Sequence, residues 1–254
     1  MTRIVFYQLL ILIIFACNLS AQSPQPTYQF KTDSINLFDK ARNRLVPVML
    51  YSPKTDKKFR NQKLVIFSHG YGENKGGDYQ IYSYLTENLA SLGYFVASIQ
   101  HELSTDSLLA MKEPFKVTRK SNWERGVENI HFVLNELKIR FPYVDNRNLI
   151  LIGHSNGGDM TALFATKYPE LVDKIITLDN RRMPLPKTRQ PKVYSIRSCD
   201  LPADDGVLPT AIDAKKYRIQ IVALADTKHS DMDNDANTLQ RREINSYLEN
   251  FVRE

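Results

Sequence analysis

The sequence predicts an α/β fold, a mostly parallel central sheet with helices on both faces, in one domain. Three observations predict it. Short apolar runs alternate with longer stretches whose apolar residues recur at helical spacing, the pattern of strand–helix–strand units. One run, Leu64 to Phe67, is continuously apolar, as a strand covered on both faces should be. The chain has 254 residues, 43% hydrophobic and 24% charged, enough for one large domain with an ordinary core. No internal repeat, low-complexity tract or composition shift marks a second domain.

The first segment stands apart. Arg3 is the only charge before Lys31, and Ile4 to Ala16 is apolar but for Tyr7 and Gln8. Its densest part, Leu9 to Ala16, is too short for a resident transmembrane segment. A positive start, a short apolar core and a small residue at the exit have the form of an export signal. Residues 1–21 are therefore expected to be removed after Ala21, and the protein to reach the periplasm or the medium. Ile14-Phe15-Ala16-Cys17 offers a second route, a loose lipobox that would lipidate Cys17. Residues 22–30, with Pro24 and Pro26, read as a tether, and 31–254 as the folded domain.

Within that domain Leu45 to Tyr51 and Leu64 to Phe67 are expected strands. Tyr79 to Leu92 places Ile81, Tyr84, Leu85, Leu89 and Leu92 at helical spacing, and Gly93 ends it. Tyr94 to Ile99 is a strand. Asn122 to Ile139 is a helix with Trp123, Val127, Ile130, Val133, Leu134 and Leu137 on one face. Asn148 to Ile152 is a strand, Asn156 to Lys167 a helix, and Val172 to Leu178, Lys192 to Ile196 and Arg218 to Leu224 are strands. Leu239 to Val252 closes the chain as a helix. The connection from Leu178 to Lys192 holds Pro184, Pro186 and Pro191, too dense in proline for a helix. No lid domain is expected there, so a site above the sheet should be open.

Composition excludes several classes. Two cysteines cannot build a disulfide scaffold, and without Cys17 the remaining Cys199 would have no internal partner. The net charge of +6 is spread along the chain. The longest basic cluster, Lys54 to Arg60, holds four cations and one Asp, too sparse for a nucleic-acid footprint.

The sharpest local signal is Gly153-His154-Ser155-Asn156-Gly157, between an expected strand and an expected helix. This is G-x-S-x-G in the context that gives it meaning. The turn is tight enough that side chains at either glycine would strike neighbouring elements, and it lifts the Ser155 hydroxyl above the sheet. The Asn156 N–H then faces a substrate carbonyl oxygen, with the helix start favouring negative charge. Ser68-His69-Gly70-Tyr71-Gly72 follows another strand and places a second backbone N–H, that of Tyr71, opposite the first. The ring of His69 props up that turn.

Of the five histidines, His131 lies within a helix, His154 within the serine turn and pointing away from the serine, and His101 early in the chain. His229 alone lies late, beyond the last strand, where a base for Ser155 belongs. The acid that holds the imidazole must come from the same sheet edge. Asp204 is favoured, with Asp179, Asp200 and Asp205 left open. Asp205-Gly206 also reads as a turn dipeptide.

These motifs, in the order Ser…Asp…His, resemble the α/β-hydrolase family. Arg42 to Pro53 and Phe67-Ser68-His69-Gly70-Tyr71-Gly72 resemble its branch of dienelactone hydrolases, platelet-activating-factor acetylhydrolases and cutinase-like polyester hydrolases. The resemblance covers nearly all of the chain after the leader. It implies an α/β-hydrolase fold, a serine nucleophile where dienelactone hydrolases use cysteine, and Tyr71 and Asn156 as oxyanion donors. It does not choose the acid. The acetylhydrolases keep theirs in a segment similar to Leu178 to Pro184, the polyester hydrolases in one similar to Asp204 to Pro209.

The expectation is an exported serine hydrolase that cleaves a small-molecule carboxylic ester through an acyl-enzyme, with no metal, no cofactor and no nucleic-acid partner. Amide or peptide hydrolysis on the same residues, and an inactive binding protein on the same scaffold, are the rivals. Arg181 and Arg182, just after Asp179, would either give the cleft a basic rim or anchor the proline-rich loop.

Overall fold

The computed structural model describes residues 27–54 and 62–254. The expected leader, the Cys17 lipobox, most of the tether and most of the basic cluster lie outside the described residues. Among the described residues eight strands form one sheet: β1 (Phe30–Asp39), β2 (Arg44–Pro53), β3 (Gln62–Ser68), β4 (Phe95–Ile99), β5 (Val144–His154), β6 (Val172–Leu178), β7 (Lys192–Arg197) and β8 (Gln220–Ala223). Their order is β1-β2-β4-β3-β5-β6-β7-β8. β1 and β2 run antiparallel to their neighbours; the pairings from β4 to β8 are parallel.

Six helices of the described residues cover the sheet: α1 (Ser83–Ser91), α2 (Phe115–Thr118), α3 (Lys120–Arg140), α4 (Ser155–Lys167), α5 (Ala211–Tyr217) and α6 (Thr238–Arg253). Successive residues of β3 face opposite layers, as strand geometry requires. Leu64 and Ile66 join Trp123, Ile130 and Leu134 of α3 and Phe164 of α4. Val65 and Phe67 join Leu85 and Leu89 of α1 and Ile244, Leu248 and Phe251 of α6. Each of these large side chains contributes roughly 1.5–3 kcal/mol on burial.

Differences from the sequence reading have local causes. β1 pairs only with β2 and its first five residues are exposed, so its polar composition conceals an edge strand. It starts at Phe30, within the expected tether. The helix expected from Tyr79 divides into a 3-10 turn (Asp78–Gln80) and α1. Gly93, with φ +99°, ends α1, its N–H donating to the Ala90 carbonyl. α5 has no buried residue and so left no apolar stripe to read; Thr210 caps it by accepting from the Asp213 N–H. The segment from Leu178 to Lys192 contains no helix, and no lid is inserted there.

Candidate active site

The parallel strands β3 to β7 end on one edge of the sheet, and the chemistry-bearing residues stand there. Ser155 follows β5 with φ +50°, a strained conformation for a non-glycine residue. The turn holds because its glycines leave room. A Cβ on Gly153 would meet the Gly157 carbonyl and Thr161 Oγ1, and one on Gly157 would meet the backbone of Ser68 and His69.

Ser155 Oγ lies 2.9 Å from His229 Nε2, and His229 Nδ1 lies 2.5 Å from Asp179 Oδ2. An ionised carboxylate only accepts, so Nδ1 carries the proton and Nε2 turns its lone pair to the serine. The His229 backbone N–H donates to Asp200 Oδ1 at 2.7 Å, which fixes the start of the 3-10 turn His229–Met232.

The carboxylate beside His229 is thus Asp179, not the favoured Asp204. β6 neighbours β5 in the sheet, so a residue directly after β6 is one strand from the serine. Asp204 lies in a turn instead. Its N–H donates to the Arg181 carbonyl and its carbonyl accepts from the Val207 N–H, with Gly206 at φ +78°. Asp205 is exposed in the same turn.

Asp179 is fully buried, with φ +53°. Arg197 Nη2 stands 2.8 Å from its Oδ1, and Ser198 donates to it through its N–H (3.1 Å) and its hydroxyl (2.8 Å). Burial opposes ionisation, but the bonds from His229 and Ser198 and the Arg197 charge outweigh it and hold the Asp179 pKa below the usual carboxylate value.

Asn156 is the second residue of α4, so its N–H is among those a helix start leaves without an intrahelical acceptor. Its buried side chain is pinned on three sides. Trp123 Nε1–H donates to Oδ1 at 2.9 Å, and Nδ2 donates to Asn122 Oδ1 at 2.9 Å and Glu102 Oε1 at 3.1 Å. The expected partner turn adjoins it. His69 Nδ1 donates to the Gly70 carbonyl at 2.6 Å while its Nε2 accepts from the His101 N–H at 3.0 Å, so the ring does brace the turn. Tyr71 Oη accepts from the Leu109 N–H at 3.0 Å, which directs that side chain toward the loop after β4 and leaves its backbone in the turn.

Sequence reasoning missed the polar supports of the site: Arg197 and Ser198 beside Asp179, Trp123, Asn122 and Glu102 around Asn156, and Tyr82 beside Gly70. Gly70 N–H donates to Tyr82 Oη at 3.0 Å, and Tyr82 Oη stands 2.8 Å from His154 Nδ1. His154 does not point away from the site; its ring packs against His229. Of these supports only Trp123 was legible beforehand, on the apolar face of its helix, and its polar end was not.

Arg182 lies over the Phe115 ring, 4.4 Å from its centre, and Arg119 lies 4.5 Å from the same ring. Arg181 Nε donates to the Pro202 carbonyl. The N–H groups of Arg181, Arg182 and Met183 converge on Asp159 Oδ1 at 2.8–3.2 Å. Burial pushes the Asp159 pKa up to about 6 against the pull of these bonds. Among the described residues no group of three or more His, Cys, Asp or Glu is placed to hold a metal. Cys199 is an exposed free thiol. No helix among the described residues is long and apolar enough to cross a membrane.

Comparison with known proteins agrees with this architecture. The family model "Serine aminopeptidase, S33" matches residues 60–178, a little under half of the chain. Curated proteins give no match. Among solved structures, a dienelactone hydrolase-like promiscuous phosphotriesterase from metagenomic libraries superposes with a TM-score of 0.63 at 15% identity, over 88% of this chain and 97% of that one. An esterase of the archaeon Pyrobaculum calidifontis superposes with a TM-score of 0.62 at 15% identity, over 86% and 81%. A bacterial heroin esterase does so at 0.59 and 15%, over 85% and 81%. The chain has the α/β-hydrolase fold.

Proposed function

We propose that the protein is a serine hydrolase that cleaves carboxylic esters, with Ser155, His229 and Asp179 as its catalytic triad. The observation that carries this is the continuous contact from Ser155 Oγ through the His229 ring to the buried Asp179 carboxylate. In the proposed reaction His229 Nε2 takes the hydroxyl proton as Ser155 Oγ bonds to the acyl carbon. The N–H groups of Asn156 and Tyr71 bind the oxyanion, each such donor being worth roughly 3 kcal/mol of barrier. The imidazolium returns its proton to the leaving alkoxide, which departs as alcohol. Water, deprotonated by the same nitrogen, then releases the acid and restores Ser155. Asp179 holds the tautomer and stabilises the imidazolium.

Amide hydrolysis is the second reading, favoured by the description of the matching family model. Removal of an amino-terminal residue needs a site that welcomes a free ammonium group. Arg181 and Arg182 directly follow the Asp179 segment, and Arg119 shares the Phe115 ring with Arg182; these cations favour the opposite charge, and this supports the ester reading. The charge-poor apolar start supports export, with the mature chain beginning near Gln22.

The test is covalent labelling by a fluorophosphonate together with turnover of matched short p-nitrophenyl esters and anilides. The proposal expects labelling and ester turnover in wild type and neither in Ser155→Ala, with the circular dichroism spectrum unchanged. Turnover by Ser155→Ala at the wild-type rate would overturn the triad; faster cleavage of the anilide would overturn the ester assignment.

A further inference from the structure

The segment between β4 and α3 runs beside the turn that carries Tyr71. Leu109 N–H holds Tyr71 Oη in the turn after β3. Arg119 Nε returns to the Ala110 carbonyl at 2.8 Å, and Thr118 Oγ1 to the Lys112 carbonyl at 2.7 Å. Residues 110–119 are thereby closed into a compact loop. On its far side Phe115 meets Arg182, three residues beyond Asp179. The loop therefore bridges the Tyr71 turn and the Asp179 segment at the edge where Ser155 stands.

Its outer surface is unusual for a soluble protein. Leu108, Met111 and Val117 are 70%, 71% and 70% exposed, three large apolar side chains within ten residues. The other strongly exposed apolar residues, Ile139, Ile212 and Leu239, stand singly on α3, α5 and α6, where they need no explanation. Here the apolar residues alternate with charge. From Ser107 to Lys120 the cations Lys112, Lys116, Arg119 and Lys120 face one anion, Glu113. Among the described residues Lys112, Lys116 and Lys120 have no carboxylate partner, and Glu124 beside them pairs with Lys167 instead. Behind Lys116 and Lys120 lies a cavity of about 230 Å³ walled by Trp123, Leu163, Met183 and Pro184.

We infer that this loop docks the protein onto an anionic lipid surface, with Leu108, Met111 and Val117 entering the acyl boundary and Lys112, Lys116 and Lys120 meeting the head groups. Exposed apolar side chains interleaved along the chain with lysines that have no carboxylate partner are complementary to that surface on both counts. A neutral protein partner would leave the lysines unmatched. Docking would bring the cleft to esters held in the lipid layer, a consequence that rests on the ester reading.

The test places a tryptophan in the loop of the full chain. The natural sequence holds one tryptophan, Trp123, which is 1% exposed. In Val117→Trp, mixed with vesicles of brominated phosphatidylcholine and phosphatidylglycerol in a 7:3 ratio, the emission added by the new tryptophan, read as the difference from wild type, is expected to fall by at least half, while wild-type emission changes little. Adding Lys112→Glu, Lys116→Glu and Lys120→Glu should weaken vesicle affinity at least tenfold, as should 0.5 M salt. Turnover of a soluble short ester should stay within twofold in both variants, so a failed esterase and a failed docking loop give different results. The proposal is overturned if Val117→Trp is quenched no more than wild type, even when an apolar leader carries the chain to vesicles. Equal quenching by neutral vesicles or in the lysine-reversed variant overturns it too. So does a concentration-dependent shift in the emission of Val117→Trp without lipid, which would make a second copy the occupant.

Discussion

The imidazole of His154 packs against that of His229, ring centres 4.7 Å apart and tilted by 40°. Gly70 N–H donates to Tyr82 Oη, so the Tyr82 hydroxyl proton is free to go to His154 Nδ1. The proton of His154 then sits on Nε2, which has no partner among the described residues. Burial, followed by the proximity of His229, depresses the His154 pKa to about 3. The ring is therefore neutral at working pH and does not oppose a positive charge on His229. One short chain of contacts links the Tyr71 turn to the proposed base.

Tyr82→Phe removes the middle of that chain. The buried Gly70 N–H loses its acceptor, at a cost of about 1–3 kcal/mol, and the adjacent Tyr71 N–H loses its fixed direction. The expected result is a fall of about tenfold in kcat for a soluble ester with KM nearly unchanged. Steady-state kinetics checks this. Wild-type kcat beside a lowered Tm would confine the pair to stability.

The two candidate acids are separable. Asp179→Asn leaves a group of the same shape but removes the charge that holds the His229 tautomer, and kcat should fall by about 10³–10⁴. Asp204→Asn alters a turn residue and should stay within about threefold. The comparison requires both variants to show native circular dichroism. A large loss in Asp204→Asn alone would contradict the observed geometry.

Asp159 makes a pH prediction with a definite sign. Its folded pKa, about 6, lies above the ordinary carboxylate value of 3.8. Between these values the folded state holds the proton more tightly, so this group's contribution to stability is greatest at low pH and declines as pH rises through 6. The full effect is about 3 kcal/mol at 1.36 kcal/mol per unit. Asp159→Asn keeps an oxygen for the three N–H groups and removes the titration. Urea unfolding of both proteins from pH 4 to 7 should show the variant gaining on wild type as pH rises. A constant difference across that range would refute the assignment.

Two glycines should respond differently to alanine. In Gly157→Ala the new methyl meets the Ser68 and His69 carbonyls, rigid backbone that cannot yield, and a loss of about 3 kcal/mol or more is expected. Gly206 has open space around it and only its φ of +78° to defend, so Gly206→Ala should cost about 1–2 kcal/mol. Equal losses in denaturant titration would argue against steric closure as the reason for Gly157.

Much of this protein was decided locally and is legible in the residues themselves. The runs at Leu64–Phe67 and Val172–Leu178 mark buried strands because alternate side chains must find apolar cover on both faces. The Gly153–Gly157 turn is legible because only glycine fits where strand, helix and neighbouring backbone converge. His229 could be picked out by its lateness in a chain whose parallel strands all end on one edge. The partner of His229 was a different kind of question. Asp179, Asp200, Asp204 and Asp205 all follow strands at that edge, and the choice among them depends on how each loop folds back. Asp204 spends its backbone on a turn with Arg181 and Val207, while Asp179 takes a left-handed conformation that aims it, buried, at Arg197, Ser198 and His229. Neither fact has a sequence period. Likewise His154 reads as an elbow residue until Tyr82, seventy-two positions away, supplies the hydroxyl that orients it. Patterns of burial repeat along the chain and can be read from it. The direction of a polar side chain is set by whichever distant donor or acceptor the packed layers bring within about 3 Å, and only the tertiary structure decides that.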